Sequence, residues 1–294
     1  MITHIKDPNS DKCIVFIHGL GGGLNTFKKF SIYLNSKWNL NYGVLIYLFG
    51  YYKKIFYYKA PLWIPNWIIN MFGGLTFLLK ALWSKRNSHN VELLEDYIKN
   101  NCNNFENIIL VAHSMGGLIA RQYLVNCKKN KIDIRKIRML CTFATPHNGS
   151  HVAKSISFLS YIPILKKGYD YFSNLFRYRL SPQIGDLSNL NKFIKNLNND
   201  WRDLNVDSDL QFVRIGGTKD WLVKTNSSNL HSDDLDNVFY YDYDHSGLIS
   251  PNIKDSAFDP IDKFIEKLKF IEDKEEYFEE LDLEIDYDNR DDDF

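Results

Sequence analysis

Six short apolar runs recur along the chain, at residues 13–17, 44–49, 108–112, 137–144, 210–215 and 238–243. None alternates apolar with polar, as a strand with one wet face would. They therefore read as strands covered on both sides. Between them, apolar positions at helical spacing predict helices at about 25–36, 89–101, 115–127, 187–198 and 258–280. Strand and helix in alternation make an α/β chain, with a mostly parallel central sheet, right-handed crossovers and helices on its faces. In such sheets ligands bind outside the carboxyl ends of the strands. The residues that follow each run are therefore where the chemistry is expected.

Two connections are too long for simple crossovers, about 51–88 and 150–208. Both carry helical patterning of their own, so they read as lid- or cap-like insertions. Residues 62–83, LWIPNWIINMFGGLTFLLKALW, are apolar on nearly every side. Three readings stay open for them: a lid or interfacial helix in peripheral contact with a membrane, a helix buried in the domain, and a span. A span would have to sit inside a crossover between two strands of one sheet. The second insertion carries Phe158, Tyr161, Tyr169, Tyr171, Phe172 and Phe176. That density suits either an acyl pocket or plain cap packing. Near the end, Ile261, Phe264, Ile265, Leu268 and Ile271 share one helix face that should dock on the sheet. The expected organisation is one domain over 1–270 and an acidic tail over 271–294.

Composition changes this picture little. The chain has 294 residues and no formal net charge, but 271–294 holds thirteen acidic and two basic residues, so the rest carries about +11. A modestly basic body suits an anionic surface or, equally, a solvated face balanced by its own tail. No basic stripe with interleaved aromatics is present, which argues against nucleic acid as a partner. Cys13, Cys102, Cys127 and Cys141 form no CxxC pair, and reduced, buried thiols are expected. With no charged-then-apolar leader before the first strand, a cytoplasmic protein is expected, peripheral at a membrane if 62–83 lies on one. No His/Cys/Asp/Glu cluster has metal-ligand spacing, so neither metal nor other cofactor is expected.

The chemistry gathers after the strands. The run at 108–112 stops at Ala112-His113-Ser114-Met115-Gly116-Gly117 and turns helical. A serine hydroxyl is a poor nucleophile unless it projects into the site and a base takes its proton. A sharp strand-to-helix turn provides the projection, and it needs small residues two before and two after the serine, here Ala112 and Gly116. The first strand ends in His18-Gly19-Leu20-Gly21-Gly22-Gly23. Such a loop can give one oxyanion-hole N–H, from Leu20, to complement that of Met115. Read instead as a phosphate loop, it lacks the Lys-Ser/Thr of a P-loop. Asp220 follows the run at 210–215 and His245 follows 238–243. The order Ser114, Asp220, His245, each just past a strand, is that of an α/β-hydrolase triad. Asp242 and Asp244 lie nearer His245 in sequence but point differently from a triad acid. His147, at another strand's end, is the second choice of base. His18 should pack beside the site and His113 behind the turn. With Gly19, His147 and Trp221, they are the expected substrate-lining residues.

These motifs, together with Ala144-Thr145-Pro146-His147-Asn148-Gly149-Ser150 and Ser181-Pro182-Gln183-Ile184-Gly185-Asp186-Leu187, make the chain resemble the lipase branch of the α/β-hydrolases. It looks most like the small bacterial lipases and the lipase-like serine esterases that include the GPI-inositol deacylases. The resemblance covers roughly 12–270. It implies Ser114 as nucleophile, Asp220 as acid, His245 as base, and hydrolysis of carboxylic esters, often of lipids. The long insertion at 51–88 and the acidic tail depart from that pattern. The expected function is thus a serine carboxylic-ester hydrolase acting on a lipid or other apolar ester. Acyl transfer or thioester cleavage by the same triad, and a non-catalytic binding protein that keeps the fold, are the alternatives. Oligomeric state is not legible.

Overall fold

A computed structural model describes residues 4–5, 10–19, 25–37, 42–47, 84–149, 184–230, 236–252 and 257–288. The stretch 62–83, Leu20 and Ser150 lie outside these. The strands are β1 (His4–Ile5), β2 (Lys12–Ile17), β3 (Tyr42–Tyr47), β4 (Asn107–His113), β5 (Ile137–Phe143), β6 (Gln211–Gly217) and β7 (Val238–Tyr241). They pair in the order β1-β3-β2-β4-β5-β6-β7. β1 is antiparallel to β3, and every other pairing is parallel. The longer helices among the described residues are α1 (Lys28–Lys37), α2 (Ser84–Asn101), α3 (Met115–Lys129), α4 (Ile184–Asp203) and α5 (Asp259–Asp288).

Why the strands read as continuous apolar runs is visible in the two cores. Successive residues of a strand face opposite sides. Val15, Ile17, Leu110, Ala112, Leu140 and Phe212 face α2, α3 and α4. Ile14, Phe16, Val111, Cys141, Val213 and Ile215 face α1 and α5. Both sides are dry, so both sets must be apolar. β7 differs: none of its residues is fully buried, as befits the last strand of the sheet. The four cysteines are free and buried.

The strand order fixes where a ligand can bind. From β2 the chain steps through α1 to β3 on one side, then returns through α2 to β4 on the other. Connections of one hand that reverse direction must change faces, and α1 and α2 do lie on opposite faces. The adjacent carboxyl ends of β2 and β4 are thus left without a crossover between them, which is the switch point where α/β sheets open a crevice. Gly19 and Ser114 stand at those two ends.

Two boundaries move relative to expectation. α4 fills 184–203 and packs Ile194, Leu197 and Trp201 on the sheet as an ordinary crossover helix. The rest of the second insertion, 150–183, lies outside the described residues. α5 continues without a break through the first three-quarters of the acidic stretch, to Asp288. Glu272 in that stretch pairs with Lys12 of β2 at 3.4 Å.

Candidate active site

β4 ends at His113 and α3 begins at Met115, so the turn between them is Ser114 alone. Its φ of 55° and ψ of −128° are unusual for a residue with a Cβ and cost on the order of 1–3 kcal/mol. Serine is a favoured N-cap, yet Ser114 makes no capping bond to α3. Its hydroxyl faces His245 instead, with Oγ 3.0 Å from Nε2. His245 Nδ1–H donates to Asp220 Oδ2 at 2.7 Å. The Asp220 side chain is fully buried, and its Oδ1 accepts from the N–H groups of Leu222 and Val223 at 2.9 and 2.8 Å. Both oxygens are thereby fixed as acceptors, and the imidazole is fixed with its Nε2 lone pair toward the serine. Asp242 is turned outward onto Thr218 and Lys219. Asp244 caps the turn at Gly247. Neither acid reaches His245 in the described contacts.

The small residues around the serine have a steric cause. A Cβ on Gly116 would stand 2.4 Å from the carbonyl oxygen of Ile17, and one on Gly19 would stand 2.6 Å from Cβ of Ser114. The end of β2 and the start of α3 therefore pass in backbone contact. That contact brings Gly19, at the end of β2, against Ser114 and the first turn of α3. As the first residue of α3, Met115 is one of the four N-terminal positions with no intrahelical acceptor. Leu20, the expected second donor, lies outside the described residues.

Of the expected lining residues, Trp221 is half exposed beside Asp220, Gly19 sits against the serine, and the three histidines are buried. His113 Nε2–H donates to the carbonyl of His245 at 2.9 Å and so ties the loop that carries His245 to β4. His18 Nδ1–H donates to the carbonyl of Gly19 at 2.7 Å. His147 faces inward. It accepts from Arg121 at 3.3 Å and donates to Thr142 at 3.1 Å, while Asn198 of α4 donates to its carbonyl. The sequence gives Arg121 no role, and Thr145 figures there only within the motif Ala144–Ser150. Arg121 is fully buried and lies over the Trp201 ring. The signal for it was available: it falls two helical turns after Ser114, on the buried and otherwise apolar face of α3.

Burial disfavours the charged form of all three histidines. It lowers His18, lowers His113 to about 3 with help from His245, and lowers His147 well below its ordinary value with help from Arg121 and Arg214. Unfolded histidines titrate near 6.5. Below that pH the unfolded chain takes up protons that the folded chain refuses, so stability falls as pH falls from 6.5 toward 3. His113 alone should remove about 2 kcal/mol between pH 7 and pH 5, and His18 and His147 add in the same direction. Urea unfolding at the two pH values measures the loss, and His113→Gln should recover its part of it.

Six parallel strands, helices on both faces and a serine turn at the switch point define an α/β-hydrolase fold. The chain belongs to the family of the PGAP1-like alpha/beta domain, whose model matches residues 87–240. No curated protein sequence matches it. Among solved structures it is similar to a carboxylesterase of the thaumarchaeon Nitrososphaera gargenis, with 12% identity over 91% of this chain and 93% of that one and a TM-score of 0.50. It is also similar to an esterase of Pyrococcus furiosus (17% identity, 83% and 77% covered, TM-score 0.45) and to lipase BlEst2 of Bacillus licheniformis (16%, 85% and 91%, 0.46). At these identities the likeness concerns the fold. No described helix is long and apolar enough to cross a membrane. Among the described residues no group of three His, Cys, Asp or Glu is placed to hold a metal.

Proposed function

We propose that this protein is a serine hydrolase of carboxylic esters with apolar, lipid-like acyl groups. The observation that carries the reading is the relay from Asp220 to His245 at 2.7 Å and from His245 to Ser114 at 3.0 Å. His245 Nε2 takes the proton of Ser114 Oγ as Oγ bonds to the ester carbonyl carbon. The carbonyl oxygen becomes an oxyanion beside the N–H of Met115, with Leu20 N–H as its second donor. His245 then protonates the leaving alcohol as the C–O bond breaks, leaving Ser114 acylated. Water, deprotonated by His245, attacks the acyl-enzyme and frees the acid and the serine. Asp220 stabilises the imidazolium of each half-reaction without taking its proton. The apolar character of the substrate rests on the sequence of the two insertions and on half-exposed Trp221 beside the triad acid. We place the reaction in the cytoplasm, where the four thiols stay reduced, with 62–83 touching the membrane that supplies a lipid substrate.

The test is turnover of p-nitrophenyl esters from two to sixteen carbons, with and without liposomes, alongside an alkyl fluorophosphonate followed by peptide mass analysis. We expect turnover that rises with chain length and a phosphonyl group on the peptide holding Ser114. No turnover and no adduct would reject the hydrolase reading in favour of a binding role. Transfer of the acyl group to an added alcohol faster than to water would make the enzyme an acyltransferase.

A further inference from the structure

We infer that Thr145 is a positioning residue for the oxyanion hole, acting through the peptide between Ser114 and Met115. The inference rests on the hydrolase reading above. A trans peptide is a rigid plane with its C=O and N–H pointing in opposite directions. The N–H of this peptide belongs to Met115, the proposed oxyanion donor. Its C=O belongs to Ser114 and accepts from Thr145 Oγ1 at 2.9 Å and from Gly117 N–H at 3.1 Å. The Gly117 bond is local to the first turn of α3. The Thr145 bond comes from another element, the loop after β5, and anchors the carbonyl to the body of the sheet. Holding the oxygen sets the direction of the N–H. It also polarises the peptide, which strengthens the N–H as a donor.

Three further features are arranged around this bond. Thr145 is buried, 1% exposed, so water does not compete for the carbonyl. A Cβ on Gly117 would stand 2.2 Å from Thr145 Oγ1 and 2.7 Å from its Cγ2, so the second glycine of the Ser-Met-Gly-Gly run makes the space that the threonine fills. On the other side of the serine, Ser114 N–H donates to the carbonyl of Phe143 at 2.8 Å. The next residue, Ala144, has a φ of 51°. That turn carries the chain from a strand bond on the serine's amide to a side-chain bond on its carbonyl. The loop after β5 thus grips Ser114 at both backbone ends, and the strained turn is held from outside its own helix.

The test compares Thr145→Val, which keeps the shape and removes the donor, with Thr145→Ser, which keeps the donor. Two quantities are measured. The first is kcat and KM on the best ester, with the affinity for a trifluoromethyl ketone, whose adduct places an oxyanion in the hole. Removing a whole oxyanion donor typically costs a hundredfold to a thousandfold. Misdirecting one should cost about tenfold to a hundredfold in kcat, with the ketone weakened by a similar factor, KM little changed and the pH profile unmoved. The second needs no turnover. Selective 15N labelling of methionine gives at most four resonances, and the Met115 amide, assigned with Met115→Leu, should shift upfield in Thr145→Val. Thr145→Ser should restore both. An unchanged kcat, or a fall in kcat with the Met115 resonance unmoved, would overturn the proposal. If the wild type turns over no ester, the hydrolase reading fails, and the Met115 resonance alone decides whether Thr145 holds this peptide.

Discussion

Ser114→Ala should lower kcat on the best ester by about 10⁵- to 10⁶-fold, His245→Ala should do the same, and the double variant should fall no further. The magnitudes are those of serine hydrolases in which the nucleophile and its base act as one unit. The geometry explains why the losses should not add. His245 has one free nitrogen, and it faces Ser114 Oγ at 3.0 Å. Without the base the hydroxyl keeps its proton, and without the hydroxyl the base has nothing to activate. Asp220→Asn is different. It keeps the shape of the site but replaces the oxygen that receives His245 Nδ1–H, so the imidazole can settle in the wrong tautomer. A loss of about 10⁴-fold in kcat is expected, with folding nearly intact because the other oxygen still accepts from Leu222 and Val223. Single-turnover and steady-state kinetics on the four variants measure this. Multiplying losses in the double variant would mean that the serine and histidine act separately, and that the relay is not the catalytic unit.

Much of this site could be read from the chain because each part follows a strand. An apolar run covered on both faces announces its own end, and the residue after it is then easy to name. Ser114, Asp220 and His245 were named in that way, and the structure brings them into one hydrogen-bonded line. The helices were equally legible, because the face of α5 that carries Ile261, Phe264, Ile265 and Leu268 repeats with the helical period. What the chain concealed was of two kinds. β1 has two residues and no pattern, and it exists only because β3 offers an edge. Thr145 bonds across elements far apart in sequence, and no local period marks it; the helical spacing of Arg121 from Ser114 is visible, but not its partners His147 and Asn198. His147 looked like a lining residue for the same reason. Its place after β5 was legible, but the inward turn that buries it against Arg121 and Thr142 depends on Ala144 and on α4.

Gly116→Ala should destabilise the protein by about 2 kcal/mol and lower kcat by about a hundredfold. Two effects compete at this position. In a helix, alanine is favoured over glycine by about 1 kcal/mol. Against that, the new methyl would lie 2.4 Å from the carbonyl oxygen of Ile17 and 2.8 Å from that of His18. Both are backbone atoms at the end of β2, so no side chain can rotate aside. β2 and α3 must separate, and overpacking of this kind costs about 1–3 kcal/mol and sometimes more. The steric term wins, by an amount that should lower Tm by about 5 °C in a chain of this size. The catalytic cost comes from the same movement. In the proposed mechanism one oxyanion donor, Leu20, follows β2 in the sequence, and the other, Met115, begins α3. A displacement of about 1 Å between reacting groups can cost a hundredfold. Gly117→Ala is the contrasting variant, since the three atoms its methyl would meet first belong to the Thr145 side chain and not to backbone. It should spare Tm more than Gly116→Ala does while still weakening the oxyanion peptide. Thermal unfolding and ester kinetics on the two variants separate these effects. A Gly116→Ala protein with wild-type Tm and kcat would mean that the backbone contact between β2 and α3 does not set the geometry of the site.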